Sequence, residues 1–559
     1  MADAPESGLA SRMARLNVFR SKSKRGVDDE DQGQAIDSET VGGGGHSAFP
    51  TGVTQHHLRV SDALKTFLEH EGVVSEGNPE SLAALLDKPV VVPPSHLLDR
   101  SHPLPEYFIS SSHNTYLMAH QLYGTSSAGA YETTLKAGAR CIEIDAWDNP
   151  ANKEEPKVTH GFTLVSNIPF RVVCETIKNV VDQEASAPAI QGYAPAPILV
   201  SLENHCEPDG QRRLVEIMKE VWGDRLLSAP VRKKGHQEQE GGELVRLVEL
   251  GSKIALIVEF HLPDEEDSSS NSSSSSSSES EDERKTRAEY KAKKKAKPPP
   301  IIVPELAELG IYAQSVKPRD ASWYIDGKIN DGPVNHHLVN MSESGLAAHM
   351  TEHAAEIARH NTRHLVRTFD ASMQLNDALF AGTAGYVLKP AALRSGGSGE
   401  LVSTARRKIL RLRVAGATGV PLHEGRDVED LKPYLTCTLL HPAGRGAELI
   451  KTKRKTAVYH RRRIMQLPVL RRLSREAQSP VQTDPVWDET LEWEFDDNEL
   501  VFVRMFIKSD DSFSSNPILA VAPVRLLYVQ PGWRFVRMLD LRGHETTCSL
   551  LVKFDIHEA

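Results

Sequence analysis

Apolar residues recur along this chain with two different periods, and the changes of period divide it. Val60, Leu64, Phe67 and Leu68 stand at helical spacing, and Leu82, Leu85 and Leu86 repeat it. Residues 56–100 therefore read as a small helical segment. It holds no acidic calcium loop of the D-x-D-x-D-G kind. From 101 to 262 short apolar strands alternate with helical stretches. Tyr107–Ser110, Cys141–Ala146, Val158–Phe162, Ile198–Leu202 and Ile254–Phe260 read as strands, and Ile168–Val181 and Gln211–Trp222 as amphipathic helices. Such alternation predicts a parallel α/β sheet. Residues 263–299 interrupt it with a serine run between acids, then a basic run and three prolines, a composition that cannot build a core. The alternation resumes over 300–391. A Gly/Ser linker at 392–404 follows, and strands alone fill 405–559, at Leu410–Val414, Tyr434–Leu440, Leu491–Phe495, Val501–Ile507, Val524–Tyr528 and Cys548–Phe554. That last stretch reads as an all-β sandwich. Residues 1–55, rich in Gly, Ser and charge, read as disordered.

Composition narrows the class. The 559 residues are 39% hydrophobic and 25% charged, ordinary values for globular domains. No stretch approaches the ~20 apolar residues of a membrane span. The formal charge is -10, with acid gathered mid-chain and base after it and again near 451–475. Local basic patches on an acidic chain suit contact with anionic surfaces and do not suggest a nucleic-acid protein. The five cysteines are scattered without a CxxC pair, which argues against a disulfide scaffold or structural zinc site. No apolar leader opens the chain. A cytoplasmic protein, peripheral at membranes, is the expectation.

Chemistry concentrates at strand ends. Tyr107–Tyr116 (YFISSSHNTY) delivers His113 and Asn114, and Cys141–Asp145 (CIEID) alternates so that Glu143 and Asp145 share one face. The next strand ends at His160, and Ile198–Cys206 (ILVSLENHC) ends at Glu203. Any one of these is unremarkable at a loop. Four successive strands delivering such residues at one end are not a chance pattern, because parallel barrels place catalytic groups there. Two inward carboxylates repel unless a cation offsets them, and three carboxylates with an amide oxygen suit calcium or magnesium rather than zinc. Two histidines beside such a cation suit phosphoryl chemistry.

The stretches YFISSSHNTY, RCIEIDAWD, VTHGFT and ILVSLENHC together resemble the X region of the eukaryotic phosphoinositide-specific phospholipases C. The resemblance implies a TIM-type α/β barrel split by a disordered insert and followed by a C2 sandwich, acting as a calcium-dependent phosphoric diester hydrolase in lipid signalling. It implies His113 and His160 as catalytic residues and Asn114, Glu143, Asp145 and Glu203 as calcium ligands. Residues 301–390 resemble the Y region, with Ser315 and Arg367 as headgroup contacts and Gly385–Pro390 (GYVLKP) as its end. The implied products are diacylglycerol and inositol phosphates, formed through a cyclic phosphate. Thr483–Glu489 (TDPVWDE) resembles the C2 signature, with Trp487 expected to fill the core. Asp427, Asp430, Asp510 and Asp511 are candidate C2 calcium ligands, although loop acids are more often merely solvated. The basic stretch from Lys451 is a candidate membrane contact, a solvated loop being the alternative.

Two departures stand out. Where the family offers two inward lysines on its fifth strand, this chain has Ile257 and Glu259. A carboxylate ~5 Å from a phosphate charge costs roughly 3 kcal/mol at an effective dielectric of 20, so a weaker preference for the bisphosphate is expected. After Arg367 the chain passes straight to Thr368-Phe369, about 30 residues short of the family pattern, close to one unit of a ~250-residue barrel. An incomplete barrel and a catalytically impaired, lipid-binding scaffold are therefore the alternative expectation.

Overall fold

Ser61 and Asn78 set the two N-terminal helices. In the computed structural model the Ser61 hydroxyl accepts from the Leu64 N–H at the head of α1 (Asp62–His70), and Asn78 accepts from Glu80 ahead of α2 (Pro79–Leu86). Both are capping residues that satisfy an otherwise orphaned N–H. The model describes residues 58–118, 125–160, 166–186, 196–232, 243–259, 301–316, 323–325, 336–369, 373–401, 406–422, 426–442, 449–461, 481–496, 498–510, 517–541, 543 and 545–559. The segments read as disordered, 1–55 and 263–299, lie outside them. Leu64, Leu68 and Leu85 turn inward and pack on Ala415, Trp533, Phe535 and Leu551 of the C-terminal half.

The first large layer is built from β1 (Tyr107–Ile109), α3 (Ala128–Lys136), β2 (Cys141–Trp147), β3 (Lys157–Val158), β4 (Ile168–Pro169), α4 (Phe170–Ser186), β5 (Ile198–Asn204), α5 (Pro208–Trp222), α6 (Leu247–Leu250) and β6 (Ile254–Glu259). It continues through α7 (Pro304–Ala307), β7 (Gln314–Ser315), β8 (His337–Ser342), α8 (Glu343–His360), β9 (Leu365–Phe369), α9 (Met373–Phe380) and β10 (Tyr386–Leu388). The sheet runs β4-β3-β2-β5-β6-β7-β8-β9, parallel from β2 to β9. β1 joins β2 through the parallel bridge Ser111–Cys141. The third strand differs from expectation: β3 returns antiparallel on β2, Ala146 opposite Val158. The link from Trp147 to Lys157 is too short for the crossover of a dozen or more residues that a parallel return needs.

Alternation along the strands makes two cores. Ile142, Ile144, Val200, Leu202, Leu256 and Val258 face α3, α4 and α5. Cys141, Leu199, Ile257, Leu338, Leu365 and Tyr386 fill the other face. That inner face is curled. β2 and β9 stand five strands apart in order, roughly 24 Å in a flat sheet at ~4.8 Å per strand, yet Arg367 on β9 lies 3.1 Å from Glu143 on β2. Among the described residues nothing pairs with the far side of β9, and β10 lies antiparallel on β1. The described ladder is thus open beyond β9. Lys389 spans the opening: its buried Nζ donates to the carbonyls of Pro105 (2.6 Å) and Asn361 (2.9 Å).

The C-terminal half is all antiparallel. Its strands are β11 (Arg407–Thr418), β12 (Pro433–Pro442), β13 (Leu449–Lys455), β14 (Val486–Asp496), β15 (Phe502–Ser509), β16 (Ile518–Arg525), β17 (Gly532–Leu539) and β18 (Glu545–Glu558), in the order β13-β12-β15-β16-β17-β18-β11-β14. The ends of that order meet: the Trp493 indole N–H on β14 donates to the Thr452 carbonyl on β13 at 2.9 Å. Trp487 packs half-buried at the edge of the core, and Trp493 is the tryptophan buried within it. The basic run begins as strand β13, with Lys451, Lys453, Arg454 and Lys455 exposed. Arg462 and Arg463 lie outside the described residues. No helix among the described residues is long and apolar enough to cross a membrane.

Candidate active site

The site forms at the C-terminal ends of β1, β2, β5 and β9. With Ile142, Ile144 and Ala146 committed to the helix-facing core, Glu143 and Asp145 point inward, fully and almost fully buried. Glu143 is held on both oxygens. Oε2 accepts the backbone N–H of Asn114 at 2.6 Å, and Oε1 accepts from Arg367 Nη1 at 3.1 Å. Asn114 takes a left-handed φ of 48°, which Asn tolerates better than most residues. Arg367 also donates to Ser201 Oγ (2.9 Å) and to the Ser112 carbonyl (3.2 Å). One guanidinium therefore ties β9 to β5, β2 and the end of β1. Burial drives the Glu143 carboxyl upward, Arg367 opposes this, and the charge of Glu203 adds to it.

Asp145 and Glu203 are neighbours across β2 and β5, in direct register. Among the described residues, Asp145, Glu203 and His205 form the group whose ligand atoms all lie within 4.8 Å of one another. Asn114 reaches this group indirectly. The Tyr116 hydroxyl lies 2.6 Å from Asp145 Oδ2 and 3.1 Å from Asn114 Oδ1. The expected oxygen set is thus split: Asp145 and Glu203 converge, Asn114 is linked to them through Tyr116, and Glu143 is turned toward Arg367. The donors fit a hard divalent cation, since the buried Asp145, the partly exposed Glu203 and the Asn114 amide oxygen gather at the strand ends.

His113 stands 3.7 Å from Glu143 through Nε2. Although its side chain is 41% exposed, desolvation among its neighbours, then the Arg367 charge, push its pKa down to about 4, with Glu203 opposing and His160 adding. It is neutral near pH 7. His160 lies close enough to His113 to act on its charge. Ser315 is buried on β7 and accepts from Asn340 Nδ2 at 3.0 Å, a link within β7 and β8. Ile257 lies on the inner face, beside Ser201 in register and buried with the apolar cluster.

Of the remaining expected ligands, Asp427, Asp430 and Asp510 are exposed at one end of the sandwich, where the Asp510 N–H donates to the Lys432 carbonyl. They do not join a group of three ligand atoms among the described residues. Asp511 lies outside those residues. A cleft of about 620 Å³ lined by His102, Glu106 and Arg394 opens at the opposite, N-terminal end of the strands, away from this chemistry. Sequence reasoning missed Tyr116, Ser201 and His205. The signal for His205 was present, because it stands two residues beyond Glu203 and so on the same face of the strand.

Buried carboxylates, a paired arginine and a histidine thus meet at one end of the sheet. Residues 100–259 match the family profile of the phosphatidylinositol-specific phospholipase C X domain. Over that stretch the chain is similar to the X region of the eukaryotic phosphoinositide-specific phospholipases C. It is 26% identical over 512 residues to 1-phosphatidylinositol 4,5-bisphosphate phosphodiesterase delta-1 of Rattus norvegicus, covering 82% of this chain and 61% of that enzyme. The beta-1 enzyme of Mus musculus is 43% identical over 136 residues, 24% of this chain and 10% of that one. The chain thus spans about three fifths of the length of the delta-1 relative it matches. The crystal structure of L. pealei PLC21 superposes with a TM-score of 0.63 at 20% identity, covering 92% of this chain and 65% of that one, a likeness of fold.

Proposed function

We propose that this chain hydrolyses the phosphodiester of inositol phospholipids at an anionic membrane surface, releasing diacylglycerol and inositol phosphate through a cyclic phosphate. The observation that carries this reading is the convergence of Asp145 and Glu203 beside the Glu143–Arg367–Ser201 network and His113 at one end of a curled sheet. Asp145, Glu203, Asn114 and Glu143 would hold calcium, which when bound lowers the pKa of the attacking inositol hydroxyl. His113, kept neutral by desolvation and by the Arg367 charge, donates a hydrogen bond to a phosphate oxygen as charge builds there. His160 exchanges the proton with the leaving oxygen. Arg367 and Ser315 orient the headgroup. The C-terminal sandwich acts as a C2 module that brings the site to the lipid.

The relatives' names specify the 4,5-bisphosphate. Ile257 occupies an inward position beside Ser201 with an aliphatic side chain, which supports a weaker preference for the bisphosphate relative to phosphatidylinositol. The open ladder beyond β9 supports a second reading, a catalytically impaired lipid-binding scaffold. The deciding experiment titrates calcium against radiolabelled phosphatidylinositol and its bisphosphate in mixed micelles, with His113→Ala as control. Calcium-dependent release that disappears in the variant supports the enzyme. No release from folded protein supports the scaffold. A strong bisphosphate preference removes the specificity reading.

A further inference from the structure

Four residues at the ends of β2 and β5 form a block of their own. Asp145 and Glu203 oppose each other in register, as do Ala146 and Asn204. Two residues further on, Trp147 and His205 therefore face each other on the same side. Their rings are stacked, with centroids 4.2 Å apart and planes 19° from parallel. The stack fixes the imidazole beside the carboxylates: His205 Nε2 lies 3.8 Å from Glu203 Oε2, and the three ligand atoms fall within 4.8 Å of one another. Calcium takes oxygen ligands and has little use for this nitrogen. Zinc and the neighbouring transition ions bind imidazole readily and accept three protein ligands with an open position.

We propose that Asp145, Glu203 and His205 form a second, nitrogen-containing cation site for zinc-class divalent ions, overlapping the oxygen site at two carboxylates. The inference rests on the reading of Asp145 and Glu203 as calcium ligands only for its consequence. Because both sites use the same two carboxylates, the ions exclude each other, and a zinc-class ion opposes calcium. Trp147 is the positioning residue that holds the ring.

The test titrates Co2+ into the full chain and follows its visible absorption, with Ca2+ affinity measured separately by calorimetry. His205→Ala and His205→Gln are compared with the parent after matched thermal melts. Cobalt affinity is expected to fall at least ~10-fold in both variants, a ligand's loss being no milder than that of an outer-shell partner. Calcium affinity is expected to stay within about twofold, oxygen ligands being what that ion requires, and calcium is expected to bleach the cobalt spectrum of the parent. Unchanged cobalt affinity in both variants overturns the site. Equal loss of cobalt and calcium affinity also overturns it, since His205 then only supports the strand ends. Simultaneous binding of both ions overturns the overlap. Should calcium not bind at all while cobalt binding still depends on His205, the calcium reading fails and this site stands.

Discussion

The two halves of this molecule bury opposite things inside their sheets. The α/β half encloses charge: Glu143, Asp145 and Arg367 lie inside a curled sheet, above an apolar layer of Cys141, Leu199 and Ile257. The antiparallel half encloses an apolar interior, from Leu410 through Trp493 to Phe554, and keeps pairs such as Arg411–Glu492 outside, half exposed. Their edges differ in the same sense. Trp493 joins the ends of the second sheet, whereas the described ladder of the first stops at β9 and is spanned by one buried lysine. Burying charge costs free energy unless every group is paired. Within the sheet interiors, that cost falls on the half to which the proposed function assigns the chemistry.

Arg367→Met strikes that contrast hardest. It strands a buried carboxylate and leaves Ser201 Oγ and the Ser112 carbonyl without their donor. Breaking a buried pair by removing one partner costs about 3–5 kcal/mol, read as a drop in the urea unfolding midpoint. A loss below about 1 kcal/mol, the range of exposed pairs, would mean that the sheet interior is wet and that its charges resemble the surface ones.

Lys389 gives the next largest effect. Burial lowers its pKa to about 7, with Glu106 opposing. The unfolded chain holds the proton up to about 10.5, the ordinary lysine range. Between those values the unfolded state binds more protons, so this residue makes stability rise with pH from about 7 to about 10 and adds no slope below that window. Against Lys389→Met, the parent should gain about 2 kcal/mol between pH 7.5 and 9.5. Parallel pH profiles for the two proteins would show that the ammonium is not buried at the opening. In the other half, Trp493→Phe removes the indole volume and the hydrogen bond to Thr452, for a loss of about 1–2 kcal/mol. A cost equal to that of Arg367→Met would make closure of the second sheet as critical as charge pairing in the first.

What the sequence revealed follows from distance along the chain. Period-two alternation in CIEID was enough to place Glu143 and Asp145 on one face, because that rule is local. The helices were equally legible from their apolar stripes, while the caps at Ser61 and Asn78 emerged with the structure. β7, only Gln314–Ser315, leaves too short a stretch for any period to register, and β13 was masked by its charge, since Lys451, Lys453 and Lys455 read as a loop until pairing with β12 showed them on an exposed strand. The antiparallel return of β3 could have been inferred from its short connection. The partnership of Glu143 with Arg367 could not, as 224 residues separate them and curvature alone brings them together.

Arg411→Met is the mildest probe, and it isolates burial from geometry. Arg411 and Glu492 face each other in register on β11 and β14, with Nε 2.6 Å from Oε2, shorter than the 3.1 Å of Arg367–Glu143. By distance alone the surface pair should be the stronger. Its side chains are 50% and 51% exposed, against 6% and 0% for the inner pair. Water and salt screen it, and holding two long side chains in one arrangement costs rotamer freedom. The urea midpoint should therefore move by less than about 0.2 M, and added salt should erase even that. A shift matching that of Arg367→Met would show that contact distance governs these pairs, and the distinction between the charged interior and the charged surface would no longer locate the site.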